Sequence, residues 1–282
     1  MGTLSIVQKE ITENFVKNLG LSQRESLIEA KFIFEYVLKK SYSQIISVQP
    51  ITLSNEESVL IQEIVKLRLQ KKPLAYIFNE WDFYGETFHI NEHVLIPRQD
   101  TELLIDLVLK QYKKEVSMNI CDLGTGSGII GITLARHYQS SKVIIADISS
   151  DALLIAQKNI EKFDLKNIKT FRSDWYQNLP KTQFDLVISN PPYVDSTDPY
   201  LNKDELKFEP PSALYSDNKG YSDIEKIINH SPDYLKEGGQ LIIEHGYNQA
   251  DQVKAIFQSA KFISINQYQD INSKIRVTSG FI

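Results

Sequence analysis

The sequence predicts an α/β protein, a doubly wound and mainly parallel sheet preceded by a small helical domain. Three observations predict it. Short apolar strands alternate with helical segments from residue 118 onward; a glycine-rich turn lies where the first of those strands feeds a helix; and roughly the first eighty residues carry apolar positions at helical spacing. At 282 residues the chain is long enough for one large domain or two smaller ones. Hydrophobic residues make up 42% and charged residues 24%, the balance of a soluble globular protein. A formal net charge of −5 argues against affinity that comes mainly from neutralising phosphates.

In the helical part, Ser22 with Glu25 and Ser54 with Glu57 each match a capping box. Leu27, Ala30, Phe34, Val37 and Leu38 then share one face, and Leu60, Ile64 and Leu67 another, while Lys71-Lys72-Pro73 ends the run. Residues 81–97 alternate large apolar and polar positions about Gly85, which predicts a β-hairpin. Asp100 or Thr101 is placed to cap a helix containing Leu103, Leu104, Leu107 and Val108.

The alternating part follows. Strands are expected at 118–123, 143–146, 168–172, 184–189 and 241–244, with helices at 129–137, 151–162, around 224–228 and near 249–257, a loop over 194–219, and strand-like segments around Phe262 and Ile275. Such repeats build a parallel sheet that binds ligands at the strand C-termini. The one cysteine, Cys121, lies in the first strand with no base nearby, so it reads as a buried structural thiol. His89 and His93 fall in a strand-like stretch, where that spacing separates the rings by about 13 Å. No metal site is expected. Without a basic-then-apolar start or a long uncharged apolar run, the expectation is a cytoplasmic protein with no membrane contact.

Chemistry concentrates in the loops after the strands. Asp122-Leu-Gly124-Thr125-Gly126-Ser127-Gly128 permits close backbone approach and exposes the N–H groups of a helix start. Gly126, Gly128 and Gly131 also satisfy G-x-G-x-x-G, with Asp147 about twenty residues on, so spacing alone leaves a dinucleotide site open. Asp147 is suited to ribose hydroxyls, Asp174 to an exocyclic amine and Trp175 to an adenine face. Asp122 favours a cationic amino-acid ligand over a pyrophosphate. Asn190-Pro191-Pro192-Tyr193 follows the fourth strand; its prolines remove two donors and leave carbonyls, a carboxamide and a ring, which suit a planar NH2 group.

Taken together, the glycine loop, Asp147, Ser173-Asp174-Trp175, Asn190 to Tyr193, Phe208-Glu209-Pro210, Leu241 to Gly246 and Leu95-Ile96-Pro97-Arg98 leading into Asp100-Thr101-Glu102 resemble, in order and over essentially the whole chain, the HemK/PrmC family of release factor glutamine methyltransferases. The resemblance implies a class I, Rossmann-like methyltransferase domain at 98–282 with a mainly parallel seven-stranded sheet, a hairpin linker at 79–97 and a helical substrate-recognition domain at 1–78. It implies methyl transfer from S-adenosyl-L-methionine to the glutamine side-chain amide in the Gly-Gly-Gln motif of class 1 peptide chain release factors. By matching position, Gly124, Thr125, Gly126, Ser127, Gly128, Asp147, Asp174, Trp175 and Asn190 would bind the cofactor, and Asn190, Pro191, Pro192 and Tyr193 the glutamine, with Asn190, Pro191 and Tyr193 catalytic. A monomer without direct nucleic-acid binding is expected. Two departures stand out: Gln99 replaces a frequent proline, and Asp270-Ile-Asn272-Ser-Lys274 a glycine-containing turn. Rival readings are methylation of an exocyclic base amine, for which Lys66, Arg68, Lys71 and Lys72 would supply a basic patch, methylation of a ribosomal-protein glutamine, and a non-catalytic scaffold.

Overall fold

A computed structural model describes residues 4–48 and 51–282, and the chain divides into two compact units, Met1–Asn79 and Glu80–Ile282. The first unit is helical: α1 (Leu4–Leu19), α2 (Gln23–Leu38), α3 (Tyr42–Ser47), α4 (Asn55–Leu69) and α5 (Leu74–Phe78). Both expected capping boxes form, and a third, Ser41 with Gln44, opens α3. Phe15, Ala30, Ile33, Phe34, Ile45 and Ile61 centre the core.

The apolar face of α4 differs from the expected one. Leu60 and Leu67 are exposed, and the buried stripe is Ile61, Ile64 and Arg68. Arg68 lies inside because its Nε and Nη2 donate to Glu29 at 2.7 and 2.9 Å, a bidentate pair that compensates its charge. That removes Arg68 from any basic patch with Lys66, Lys71 and Lys72. On α2, Leu27 is likewise exposed, and Ile33 takes the inward position.

The second unit begins with a hairpin, β1 (Glu80–Phe83) and β2 (Glu86–His89), turning at Tyr84-Gly85. It is shorter than expected, since residues 94–97 form no strand. The partner strand stops at Glu80 because Asn79 before it is left-handed, φ 56°, where it closes α5, while on the outer edge of β2 the Asn159 side chain accepts from His89 N at 2.7 Å and donates to His89 O at 2.9 Å.

The main sheet is built from β3 (Asn119–Leu123), β4 (Lys142–Asp147), β5 (Ile168–Arg172), β6 (Phe184–Ser189), β9 (Leu235–Glu244), β10 (Ile263–Gln269) and β11 (Ile275–Phe281), with a small parallel bridge between β7 (Val194–Asp195) and β8 (Tyr215–Ser216) inside the expected loop. Among the described residues its order is β10-β11-β9-β6-β3-β4-β5. The five strands from β9 through β5 run parallel to one another, and β11 is antiparallel to both β9 and β10. Helices α6 (Glu102–Gln111), α7 (Ile129–His137), α8 (Ser150–Lys162), α10 (Ser222–Tyr234) and α11 (Ala250–Ser259), with the short turn α9 (Asp217–Gly220), complete the unit. One core contains Ile120, Ile132, Ile145, Leu186 and Ile188; the other contains Leu123, Val187, Ile227, Leu241 and Phe257. Alternate residues of β3 and β6 thus feed opposite layers, as a sheet covered on both faces requires.

The chain leaves β3 toward β4 and β5 on one side and returns to β6 on the other. Loops after β3 and β6 therefore meet at a topological switch point, where open α/β sheets bind ligands.

Candidate active site

Register brings the loops to one edge of the sheet. Leu123 pairs with both Ala146 and Ser189, Asp147 with Arg172 and Ser189 with Ile243, so the five parallel strands end together. Ser189 Oγ donates to Leu123 O at 2.7 Å, and Thr125 N to Ala146 O at 3.0 Å, tying three strand ends at their exits.

The glycine loop needs glycine for two different reasons. Gly124, Gly126 and Gly128 all have positive φ, and a Cβ on Gly128 would stand 2.6 Å from Ile132 Cδ1. On Gly126 a Cβ would meet nothing within 4 Å, so the space above that residue is open. Asp147 supports the loop: its Oδ2 accepts from Gly126 N and its Oδ1 from Ser149 N, both at 2.9 Å, leaving a lone pair on each oxygen. Burial raises its pKa.

Asp122 does not face a ligand. It is fully buried, and its Oδ2 accepts from Thr125 Oγ1 at 2.5 Å and Gly131 N at 2.9 Å. Desolvation pushes its pKa to about 7 against the lowering effect of those bonds. The sequence suggested a counter-charge for an amino group; the side chain is instead buried, bonded to Thr125 of the loop and to Gly131 of α7.

Trp175 adopts a left-handed backbone, φ 49°, which places its ring over Gly124, where an added Cβ would lie 3.1 Å from Cζ3. Its Nε1 donates to Asp223 Oδ1 at 3.1 Å. Asp174, beside it, accepts from Gln177 within its own turn. An open glycine backbone, a carboxylate with spare lone pairs and a fixed indole form a donor set that fits an adenosyl amino acid.

The second loop is held at every residue that matters for its shape. Asn190 Nδ2 donates to Thr101 Oγ1 at 3.0 Å. Pro191 is buried, and Pro192 and Tyr193 are half-buried. Tyr193 OH donates to Glu244 Oε1 at 3.1 Å, and Tyr193 O accepts from Gln249 Nε2 at 3.1 Å. Gly220 abuts the same carbonyl so closely that a Cβ there would stand 2.2 Å from it. Burial and the neighbouring Glu244 raise the Tyr193 phenol pKa well above its usual value, so the ring stays a neutral donor.

Thr101 carries no helix-capping bond to α6, contrary to the expected role of Asp100 or Thr101, because the chain enters that helix through a 3-10 turn and the Thr101 hydroxyl is engaged by Asn190. Sequence reasoning also gave no role to Glu209 or Glu244, although both lie in the motifs that carry the resemblance. The two departures are absorbed locally. Gln99 sits in the 3-10 turn, and Asp270 Oδ1 accepts from the N–H groups of Asn272 and Lys274, while Ser273, φ 58°, takes the left-handed place a glycine would fill. Cys121 is buried and its thiol pKa raised, as an inert core residue.

Residues 99–204 match the methyltransferase small domain model, and residues 14–78 the PrmC N-terminal domain model. Among solved structures, a 16S rRNA N2 G1207 methyltransferase of T. Thermophilus in complex with AdoMet and guanosine superposes with a TM-score of 0.54 at 20% identity, over 72% of this chain and 49% of the other. A methyltransferase from Pyrococcus furiosus gives 0.53 at 15%, over 71% and 90%. These two show the fold; with the family model and the site they define the chain as an S-adenosylmethionine-dependent methyltransferase. Sequence relatives narrow the class. The release factor glutamine methyltransferase of Buchnera aphidicola subsp. Acyrthosiphon pisum is 40% identical, over 89% of this chain and 90% of that protein, and the one of Coxiella burnetii is 33% identical, over 93% and 94%. With likeness of that extent the chain belongs to the release factor glutamine methyltransferase family.

Proposed function

We propose that this chain methylates the side-chain amide nitrogen, N5, of the glutamine in the Gly-Gly-Gln motif of class 1 peptide chain release factors, in the cytoplasm and as a monomer. Family membership supports the substrate. The single observation that carries the chemistry is the clamped Asn190 carboxamide, whose NH2 is taken by Thr101 and whose Oδ1 accepts from no described residue.

An amide nitrogen is a weak nucleophile because its lone pair is delocalised into the carbonyl. S-adenosylmethionine supplies an electrophilic methyl on a sulfonium. Gly124, Thr125, Gly126, Ser127, Gly128, Asp147, Asp174 and Trp175 hold that cofactor, Asp147 through its spare lone pairs and Trp175 through its ring face. Asn190 Oδ1 and the Pro191 carbonyl accept the two hydrogens of the glutamine NH2, which orients the nitrogen and favours localisation of its lone pair. Pro192 stiffens the loop, and Tyr193, anchored by Glu244, packs against the amide plane. The nitrogen sheds its proton after methyl transfer has made it acidic, so no strong general base is needed. The helical unit binds the release factor, and no direct nucleic-acid contact is required.

The test is methyl transfer from labelled cofactor to a release factor, its Gln→Ala variant and bulk RNA. Label on the first alone is expected; label on RNA, or undiminished label on the variant, contradicts the proposal.

A further inference from the structure

The indole over Gly124 is held in place from its edge. Trp175 has a left-handed backbone that residues with a Cβ rarely adopt, and its ring is half-buried against the core containing Leu123 and Ile227. Its Nε1 donates to Asp223 Oδ1 at 3.1 Å. Asp223 lies in the first turn of α10 with its side chain 17% exposed, and the exposed Lys226 Nζ stands 3.1 Å from the same oxygen. The second carboxylate oxygen has a separate partner. Asp223 Oδ2 accepts from Ser216 Oγ at 2.6 Å, and that Oγ accepts in turn from Asp223 N at 3.0 Å. Ser216 is buried.

This reciprocal pair closes the turn between Ser216 and Asp223. Within it Asn218 and Lys219 are both left-handed, φ 53° and 57°, although neither is glycine. Such conformations are strained and persist only where the surroundings hold them. The closed turn makes two contacts with the segment that carries Asn190 to Tyr193. Gly220 is set against Tyr193 O, and Tyr215–Ser216 pairs with Val194–Asp195, Val194 N donating to Leu214 O at 3.1 Å.

We propose that Asp223 is a positioning residue for both halves of the site: Oδ1 fixes the Trp175 ring over the cofactor cradle, and Oδ2 closes the turn that seats the substrate loop at Tyr193. This rests on the reading given above, in which Trp175 faces the cofactor and residues 190–193 hold the glutamine. Neither role brings the carboxylate itself to the reacting atoms.

The test measures cofactor affinity by calorimetry and kcat/KM for a release factor at saturating cofactor. Asp223→Ala is expected to weaken cofactor binding about tenfold and to lower kcat/KM by about as much. Trp175→Phe, which keeps a ring without the N–H, loses cofactor affinity alone, and Ser216→Ala loses kcat/KM alone. Adding Asp223→Ala to Trp175→Phe weakens the cofactor no further, and adding it to Ser216→Ala lowers kcat/KM no further. A general loosening of the fold would instead lower both quantities in every variant. That pattern, additive double variants, or Asp223→Ala with both quantities at the wild-type level overturns the inference. If Asp223→Ala does not fold, the opposite losses in Trp175→Phe and Ser216→Ala decide alone. Trp175→Ala separates this inference from the reading beneath it. Wild-type cofactor affinity in Trp175→Ala removes that reading of Trp175, and the inference with it; a loss there with none in Trp175→Phe and Asp223→Ala removes the inference only.

Discussion

Arg98 Nη2 stands 2.6 Å from Glu209 Oε1, joining residues 111 positions apart, while Glu209 Oε2 accepts from Ile96 N at 3.3 Å. The Glu209 side chain is 2% exposed and that of Arg98 34%. The segment that delivers Thr101 is thereby pinned to the loop that follows Tyr193. Arg98→Met would leave a buried carboxylate without its counter-charge, which typically costs about 3 kcal/mol or more. The expected outcome is a lower unfolding midpoint and weakened use of the protein substrate, with cofactor affinity near wild type. Denaturant titration and calorimetry check it, and unchanged stability would contradict it.

Two glycines of the first loop should fail in different ways. Gly131→Ala places a Cβ 2.2 Å from Ile145 Cγ2 and 3.1 Å from Asp122 Oδ2, an overpacking expected to cost about 1–3 kcal/mol of stability. Gly126→Ala meets no atom within 4 Å but must hold φ 57°, at roughly 1–2 kcal/mol, and its methyl projects into the space assigned to the cofactor. Calorimetric titration with S-adenosylmethionine should therefore show the larger affinity loss for Gly126→Ala, and thermal melts the larger destabilisation for Gly131→Ala.

Asp122 gives stability a definite pH slope. Its folded pKa is raised to about 7 from 3.8, so between those values the folded chain binds more proton than the unfolded chain. The Asp122 contribution to stability therefore falls as pH rises through this window, by at most about 1.4 kcal/mol per pH unit. Asp122→Asn keeps an acceptor for Thr125 and Gly131 but cannot titrate. Denaturant unfolding between pH 5 and 8 should show a shallower decline in this variant than in wild type; parallel curves would refute the assignment.

Most of the second unit was legible because its strands are short apolar runs stopped by turn residues. Helix 129–137 and strands 168–172 and 184–189 are found at the expected bounds. What periodicity could not reveal is polar chemistry between distant residues. Arg68 occupies an inward position of α4 because Glu29 meets it, and Asn159 ties α8 to the outer edge of the hairpin by binding His89. The candidate site divides the same way. Gly126, Asp147 and Asn190 announce themselves by type and position, whereas Asp122 turns inward and the pairings of Asn190 with Thr101 and of Tyr193 with Glu244 exist only once the fold joins distant segments.

The proposed reaction and its acceptor loop are tested most directly by locating the methyl group. A release factor incubated with S-adenosylmethionine and either the wild-type chain or Asn190→Ala is digested, and the Gly-Gly-Gln peptide fragmented by tandem mass spectrometry. A single methyl on the glutamine side-chain amide is predicted for wild type, and little or none for Asn190→Ala under conditions where that variant still binds the cofactor. A methyl on another residue, or equal methylation by the variant, would contradict it.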